Sequence, residues 1–348
     1  MKIELGIGMF GDVSYNAEKN EYQHSGERLK QIVEQVKRAD ELGVDAFVMG
    51  EHHREDYAVS APEIILSAIA SVTKNIKLSS GVSVVSSVDP VKLYQDFSML
   101  DLLSDQRAEI MAGRGSFIES FPLFGYDLKD YNELFEEKLN LLLHLNNNKK
   151  INWEGEFRAP INNQTIYPHP GRKLPVWIAV GGTPASVLRA AKLGLPIMFA
   201  IIGGQPKQFI PLIEYYKENY IAHGHDPKEM QLGVHTHTFI SDSKEAVLKN
   251  YYPIYAQQMN KIGRERGWGS AYTEQQFLAG ASAEGALFMG SPEDVAEKII
   301  SIIELFGLTR FVAHLDTGGP SHEQMLENIE RYATEVMPIV RKHFQGRE

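Results

Sequence analysis

The stretch RFVAHLDTGG, Arg310 to Gly319, decides the predicted fold because it contributes the last of eight apolar, strand-like runs. Near-continuous apolar runs are typical of parallel strands that are buried on both faces. Helical patterns separate these runs, so we predict an α/β protein built from eight strand–helix units, a (β/α)8 TIM barrel. The seven earlier runs are Ile3–Met9, Val44–Met49, Ile76–Val85, Arg107–Gly113, Val176–Val180, Pro196–Ile202 and Gly233–Ile240.

An open, doubly wound sheet is the main alternative to the barrel. Its dinucleotide-binding form carries a G-x-G-x-x-G turn between the first strand and the helix that follows. No such turn follows Met9, where the sequence continues FGDVSYNAEKN. This absence and the count of eight units favour the closed barrel.

Two long connections interrupt the repeating units and predict insertions after the fourth and seventh strands. The first holds a helix over Tyr131–Leu145 and an irregular segment over Ile151–Pro175. The second, Lys244–Phe306, contains GRERGWGSAY, and its residues Arg264–Tyr272 suit a lid over an active site. We expect residues 1–348 to form one barrel domain.

Three helices are predicted to start at a capping residue followed by proline: Asp89–Pro90, Thr183–Pro184 and Ser291–Pro292.

The composition excludes several classes of function. The 348 residues are 43% apolar and 23% charged, with a formal net charge of -10, which disfavours nucleic acid or an anionic membrane as a partner. Without cysteine there is no disulfide, no thiolate nucleophile and no Cys-ligated metal. The N-terminus has an acid at Glu4 and only a short apolar run, unlike a signal peptide, so we expect a cytoplasmic protein.

In a (β/α)8 barrel, functional side chains lie on the loops that follow the carboxyl ends of the strands. Here the loops after strands two, four, five, six and eight are GEHHR, GRGSF, GGTP, GGQP and DTGG. GRGSF places Arg114 between two glycines, where a guanidinium can bind a phosphate through two hydrogen bonds. GGTP predicts a helix N-terminus at Thr183, whose free N–H groups favour an anion. Alone, GRGSF is compatible with a surface arginine in a flexible turn, and GGTP is compatible with an ordinary capped turn between a strand and a helix. Together the two motifs predict a phosphate-bearing cofactor.

GEHHR, Gly50–Arg54, supplies an acid and two histidines at the end of the second strand. One of the histidines, His52 or His53, can transfer a proton near neutral pH. The alternative is a histidine that only hydrogen-bonds to the backbone, which is the commoner role of a lone histidine.

His235 and His237 on the seventh strand form a rival pattern. They are two residues apart, so both rings lie on one face of the strand, and with the acid and histidines of GEHHR they suggest a zinc-dependent hydrolase. Barrel hydrolases usually carry such a pair on the first strand, which has none here. We therefore predict no metal and expect packed or hydrogen-bonded histidines.

Together these residues resemble the bacterial luciferase-like flavin-dependent monooxygenases. The likeness is narrower for a subgroup with the run GRGSFIESFPLFGYDL, which spans Gly113–Leu128 here. The resemblance also rests on the motifs GEHHR, VDPVKLYQDFSMLDLLS, VGGTPASVLRAAKLGLP, AIIGG and GRERGW. It extends to EVMPIVRKH near the end of the chain. The order of these motifs along the whole chain makes the resemblance specific.

The resemblance implies a (β/α)8 barrel that binds FMN across the mouth formed by the strand ends. It implies that His52 has a catalytic role beside the reactive face of the flavin, and that Arg114 binds the phosphate of FMN. A non-proline cis peptide under the flavin is expected at Ser83–Val84, which makes Ser83 a predicted cofactor-binding residue. The other residues predicted to bind the cofactor are Gly115, Ser116, Gly181, Gly182, Thr183 and Ser186.

The reaction that the resemblance implies needs two components. A separate flavin reductase supplies reduced FMN, which reacts with O2 to oxidise a small organic substrate. The helices after strands two and three are expected to form a homodimer. Gly113 stands where luciferase has a cysteine, and the segment after strand three is shorter, so light emission from a long-chain aldehyde is not implied. Alternatives are a reductase that uses F420 or flavin without oxygen, a flavin-storage protein and the metal hydrolase.

Overall fold

The computed structural model describes residues 3–115 and 117–346. Eight parallel strands form its centre: β1 (Glu4–Met9), β2 (Ala46–Met49), β3 (Lys77–Ser80), β4 (Ala108–Gly113), β5 (Val176–Val180), β6 (Ile197–Ala200), β7 (Leu232–Ile240) and β8 (Arg310–His314). Each strand pairs with the next in the chain, and β8 pairs with β1, so the sheet closes on itself. The predicted TIM barrel is confirmed.

Helices alternate with the strands and cover the outside of the barrel. Their buried faces and the outward faces of the strands form one apolar core. Among the described residues, no helix is both long and apolar enough to cross a membrane. The main helices are α1 (Ser25–Glu41), α2 (Pro62–Ala70), α3 (Pro90–Leu103), α4 (Tyr131–Asn147), α5 (Pro184–Lys192), α6 (Ile210–Ala222), α7 (Pro292–Phe306) and α8 (His322–Arg331), which continues through a π-helical turn, Tyr332–Val336, into α9 (Met337–Phe344).

The predicted insertions follow β4 and β7. The first contains the short helix Ser120–Phe124, α4 and an antiparallel hairpin of Lys150–Trp153 with Ile161–Thr165. The hairpin lies where the sequence predicted an irregular segment. Only Ile161 is buried in its second strand, so this strand has no apolar alternation to signal it.

The insertion after β7 is mostly helical. It contains the helices Lys244–Asn250, Tyr252–Glu265 and Glu274–Ala281, and the short strand Phe288–Gly290, which pairs with the end of β7. The shorter elements elsewhere are the hairpin Tyr15–Asn16 with Glu21–Tyr22, the strand Ser83–Val84 and the 3-10 turns Leu128–Asp130, Pro206–Phe209 and Pro227–Glu229.

Two of the three predicted caps form as expected. The Asp89 carboxylate accepts hydrogen bonds from the first backbone N–H groups of α3. At α7, the Ser291 hydroxyl accepts from the N–H of Asp294, whose carboxylate accepts from the Ser291 N–H. These caps satisfy N–H groups that a helix start otherwise leaves unpaired.

The third predicted strand, Ile76–Val85, is interrupted in the structure. It splits into β3 and the strand Ser83–Val84, and a cis peptide bond joins Gly81 to Val82 between them. The prediction of a cis bond at Ser83–Val84 is therefore wrong by two residues. A Cβ on Gly81 would lie 1.9 Å from Val48 Cγ1, so only glycine fits there. Without proline, no sequence pattern marks such a bond.

Three glycines of β1 and its loop, Gly6, Gly8 and Gly11, have the spacing G-x-G-x-x-G, but they do not form a phosphate-binding turn. Gly6 and Gly8 lie inside the strand. A Cβ on Gly8 would lie 2.6 Å from Nε2 of His235, so this glycine leaves room for that ring inside the barrel.

At the amino ends of the strands, Arg310 joins opposite sides of the barrel interior. Its guanidinium donates to Glu4 on β1 at 2.7 Å and to Glu109 on β4 at 2.6 and 3.0 Å. It also lies 4.4 Å from the ring centre of Trp177 on β5. Burial opposes the charge of Arg310, but the two acids outweigh it and raise the pKa of its guanidinium. This network fixes the closure of the barrel at its floor.

Replacing Arg310 should therefore destabilise the fold strongly. We expect Arg310→Met to lower the free energy of unfolding by about 3–5 kcal/mol, because the buried Glu109 loses both hydrogen bonds from Arg310 and is left with the partly exposed Lys77 at 3.6 Å. Urea denaturation measures this change. The control is Arg341→Met, which removes an exposed pair with Asp45 and should cost no more than about 1 kcal/mol. A loss below about 1 kcal/mol in Arg310→Met would contradict the role of the network.

Candidate active site

A cavity of about 560 Å³ opens at the carboxyl ends of the strands. It is lined by His52 and by six of the predicted cofactor-binding residues: Arg114, Gly115, Gly181, Gly182, Thr183 and Ser186. Ser83 is buried and does not line the cavity; Gly81 and Val82 do. Ser116 lies outside the described residues.

Arg114 and two hydroxyls form a polar cluster at one end of the cavity. The guanidinium donates to Ser186 Oγ at 3.1 Å and to Thr183 Oγ1 at 3.4 Å. Its other nitrogen donates to Asn132 at 2.7 Å, and it lies 5.0 Å from the ring centre of Tyr131. A cation with converging hydroxyls is the donor set that a phosphate requires. We call Arg114, Thr183 and Ser186 the anion cluster.

The predicted cap at Thr183 differs from the structure. Thr183 stands at the N-cap of α5, but its side chain makes no capping hydrogen bond. Its hydroxyl instead donates to Ser186 Oγ at 3.0 Å and accepts from Arg114. The first turn of α5 therefore adds its positive dipole end to the anion cluster, and the threonine hydroxyl bonds within this cluster and not to the backbone of the helix.

The remaining wall of the cavity is mostly apolar. Its members include Phe10, Val82, Met111, Ala179, Met198 and Ala200. Phe10 was predictable from the sequence, because it directly follows β1 and residues after the strands of a barrel surround its mouth. Asn132 was not, because it lies on α4, eighteen residues beyond Arg114, and no local pattern links the two.

His52 is held in the cavity wall by aromatic packing. Its ring stacks on Tyr57 at 4.2 Å and meets Phe10 edge to face at 4.9 Å. Its Nε2 has no hydrogen-bond partner among the described residues. Burial, and secondarily the nearby His314, lower the pKa of His52 to about 3. The imidazole is therefore neutral at physiological pH and can exchange hydrogen bonds, but it is not a cation, contrary to the titration near neutral pH expected from the sequence.

Glu51 and His53 brace the loops beside His52. One carboxylate oxygen of Glu51 accepts from the backbone N–H of Val84 at 2.7 Å. The other lies 2.9 Å from His53 Nε2. These two residues thus tie the loop after β2 to the segment after β3.

Arg54 connects three loops around the cavity. It donates to Asp56 at 3.0 Å, to Glu119 after β4 at 2.8 Å and to Glu265 in the insertion after β7 at 2.7 Å. Its guanidinium also lies 4.4 Å from the ring centre of Phe117. The segment that the sequence predicts as a lid is therefore anchored at its start to the same arginine as the two neighbouring loops.

A buried carboxylate, Asp316, organises the loop after β1. It accepts from the backbone N–H groups of Phe10 and Gly11, both at 2.9 Å, and of Asp12 at 3.2 Å. Arg28 of α1 donates to it at 3.0 Å. Burial opposes its ionisation, but its neighbours, above all His314 and Arg28, outweigh burial and hold the pKa of Asp316 well below its usual range.

The strand histidines form hydrogen bonds, as the alternative to a metal site predicted. His235 Nε2 lies 3.0 Å from His314 Nδ1, and His237 Nδ1 lies 2.9 Å from the Tyr255 hydroxyl. Burial, and then His314, lower the pKa of both His235 and His237.

The residues of the hydrolase hypothesis do not meet as ligands. In the described part of the chain, only Asp12, His314 and Asp316 bring three possible ligand atoms within 4.8 Å of one another. Arg28 already supplies a cation to that group. The arrangement of the histidines therefore gives no support to a zinc hydrolase built on GEHHR.

Comparisons with known proteins identify the family. The model of the luciferase-like monooxygenases matches residues 9–310. The N-acetyl-S-alkylcysteine monooxygenase of Bacillus subtilis (strain 168) is 25% identical over 309 residues, which cover 84% of this chain and 88% of that protein.

Solved structures at lower identity share the fold. The oxygenating constituent of 3,6-diketocamphane monooxygenase from Pseudomonas putida, solved in complex with FMN, superposes with a TM-score of 0.77 at 19% identity, covering 97% of this chain and 98% of that one. An F420-dependent secondary alcohol dehydrogenase, solved with an F420-acetone adduct, gives 0.73 at 17% identity, covering 98% and 100%. Because the family model covers most of the sequence, the chain belongs to the luciferase-like monooxygenases.

Proposed function

We propose that this protein is the oxygenase of a two-component, FMN-dependent monooxygenase. The observation that carries the proposal is the anion cluster at one end of a largely apolar cavity whose wall includes a buried, neutral histidine. FMN has this polarity, with a phosphate at one end and a flat apolar ring at the other. Bound reduced flavin would supply two electrons to O2, so that one oxygen atom enters the substrate and the other leaves as water.

The residues present fit the phosphate of FMN. In this proposal Arg114, Thr183 and Ser186 hold it, aided by the backbone of Gly115, Gly181 and Gly182 and by the start of α5. Ser116 is also a proposed ligand on the basis of the sequence alone. Val82, Met111, Ala179 and Met198 offer the apolar surface that a flavin ring requires.

His52 is the proposed catalytic residue. Its neutral imidazole lines the cavity, and we propose that the bound ligand brings a reacting group to this ring, which can orient that group or accept a proton from it. Arg54 holds the loops around this side chain, and we propose that the segment Arg264–Tyr272 closes over the bound substrate to exclude water.

The partners of this reaction are proposals too. A flavin reductase in the cytoplasm would supply reduced FMN. A homodimer through α2 and α3 is supported by large apolar side chains that are half or more exposed on these helices: Ile64, Met99, Leu102 and Leu103. We propose that residues 1–348 act as one barrel domain.

A reductase that uses F420 is the second candidate, because one similar fold was solved with an F420 adduct. FMN is favoured by the anion cluster, where one arginine and two hydroxyls lie within hydrogen-bonding distance of one another, a compact donor set that suits a terminal phosphate. Storage of flavin without catalysis is the third candidate, and it gives no role to the buried His52.

Removing the proposed phosphate ligand should weaken binding of FMN. We expect Arg114→Ala to raise the dissociation constant more than tenfold, because a charge-assisted hydrogen bond contributes about 1.5–3 kcal/mol. Fluorescence titration with FMN and with reduced FMN under anaerobic conditions measures this. The control is Arg158→Ala, an arginine of the same insertion that pairs with Asp89, and it should change affinity less than twofold. Equal affinity of Arg114→Ala and the unmodified protein would remove the phosphate assignment.

Oxygen uptake separates the three candidate functions. With reduced FMN and a panel of aldehydes, ketones and sulfonates, a monooxygenase consumes O2 in step with product. We expect His52→Ala to bind FMN with little change and to lose at least a hundredfold in turnover, a typical loss for a proton-transferring group. The control His53→Gln keeps a donor to Glu51 and should retain most activity. Substrate reduction without O2 uptake would instead indicate the F420-type reductase, and no turnover of any substrate would indicate storage.

A further inference from the structure

The orientation of the His52 ring depends on packing against its aromatic neighbours. Its Nε2 has no hydrogen-bond partner among the described residues. Tyr57 stacks on the ring at 4.2 Å, and Phe117 meets it edge to face at 5.4 Å. The third neighbour, Phe10, belongs to the separate loop after β1. Tyr57 and Phe117 also lie 6.0 Å from each other, so they form one aromatic support for the imidazole.

One ion pair, Arg54 with Asp56, holds both rings of this support. The two side chains are 10% and 2% exposed, and Arg54 donates to Asp56 at 3.0 Å. On one side, the guanidinium lies 4.4 Å from the ring centre of Phe117. On the other side, the amide of Gln258 donates to the Tyr57 hydroxyl at 3.2 Å and to the Asp56 carboxylate at 3.4 Å. The ion pair therefore reaches each ring directly or through one side chain.

The second helix of the insertion after β7, which leads into the predicted lid segment and which we call the lid helix, presents one face to this ion pair. Gln258, Lys261 and Glu265 are three and four residues apart, so they lie on the same side of the helix. Lys261 lies 3.2 Å from the Asp56 carboxylate, and Glu265 accepts from Arg54 at 2.7 Å. The cation of the helix thus meets the acid of the loop, and the acid of the helix meets the cation of the loop. Complementary charges of this kind fix one register between the two elements.

The shape of the guanidinium makes the ion pair sensitive to the position of the lid helix. Arg54 donates to acids from three segments of the chain, because Glu119 also accepts from it at 2.8 Å. Burial opposes the charge of Arg54, but these acids outweigh it and raise the pKa of its guanidinium. The guanidinium is planar and its donors form a fixed fork, so the loss of one acceptor changes the orientation that satisfies the other two. The orientation of this group determines where the ring of Phe117 packs.

We propose that Arg54 and Asp56 are positioning residues that couple the seating of the lid helix to the orientation of the His52 ring. When the helix is seated, as in this structure, both aromatic supports are held and the imidazole has one orientation in the cavity wall. When the helix withdraws, the ion pair loses its three contacts with that helix, and both supports loosen together. His52 is therefore set for its reaction only beneath a seated lid. The inference rests on the proposed function, because it takes His52 as the catalytic residue.

The NMR signal of the His52 Cε1–H group in the cofactor-free protein tests the coupling. This signal depends on how the imidazole lies against the neighbouring aromatic rings, so a change in orientation shifts it. We expect Glu265→Leu, which removes one acceptor of Arg54 from a partly exposed position, to shift the His52 signal. The control is Glu284→Leu, which removes an exposed pair with Lys207 from the same insertion and should leave the signal in place. An unchanged His52 signal in Glu265→Leu would overturn the proposal.

Turnover gives a second readout. We expect Glu265→Leu to lower kcat about tenfold, as misplacement of a reacting group does, while the Kd for reduced FMN changes less than twofold. The described lining of the cavity includes neither Arg54 nor Glu265, so binding of the cofactor should not depend on them. Glu265→Gln keeps an acceptor for Arg54 and should recover most of the lost kcat.

A loss confined to KM in Glu265→Leu would show that Glu265 serves only the entry of substrate, and it would overturn the coupling. Failure of the proposed function has a different signature. In that case the unmodified protein neither binds FMN nor turns over a substrate, whereas the shift of the His52 signal is still measured in the cofactor-free variants.

Discussion

The active-site end of this barrel depends on one buried carboxylate. Asp316 accepts hydrogen bonds from three consecutive backbone N–H groups after β1 and from Arg28 of α1. It thereby joins the end of β8 to the end of β1, where the first and last strands of the chain meet. Such a group is costly to bury unless every oxygen is paired, and here the pairing is nearly complete.

The turn held by Asp316 places Phe10, and Phe10 separates the histidines. Its ring lies 4.9 Å from His52, 5.7 Å from His235 and 4.1 Å from His314. The apolar ring withholds water from His52 and His235, and burial lowers the pKa of each of these two imidazoles. The cavity therefore combines a charged end at Arg114 with a neutral, hydrogen-bonding end, a division that suits an amphiphilic cofactor.

Much of the fold was predictable from the sequence because most barrel strands are near-continuous apolar runs bounded by helical patterns. The position of His52 and Arg114 in the cavity wall was predictable because loops at the carboxyl ends of barrel strands surround the mouth of the barrel, and both residues lie in such loops. The cis bond at Gly81–Val82 was not, since no proline marks it, and the close contact that requires glycine at position 81 comes from Val48 on another strand. The same holds for the pairing of Arg310 with Glu4 and Glu109 and of Asp316 with Arg28, which joins residues far apart in the chain. Partners that meet only through the closure of the sheet leave no local pattern.

The central claim is that the cavity binds FMN with its phosphate at the anion cluster. A crystal structure of the protein grown with reduced FMN under anaerobic conditions tests it most directly. The account predicts a phosphate within hydrogen-bonding distance of Arg114, Thr183 and Ser186, with the flavin ring between His52 and the Val82–Met111 side of the cavity. Density for the phosphate at any other part of the barrel, or an FMN-free cavity at saturating cofactor, would contradict the account.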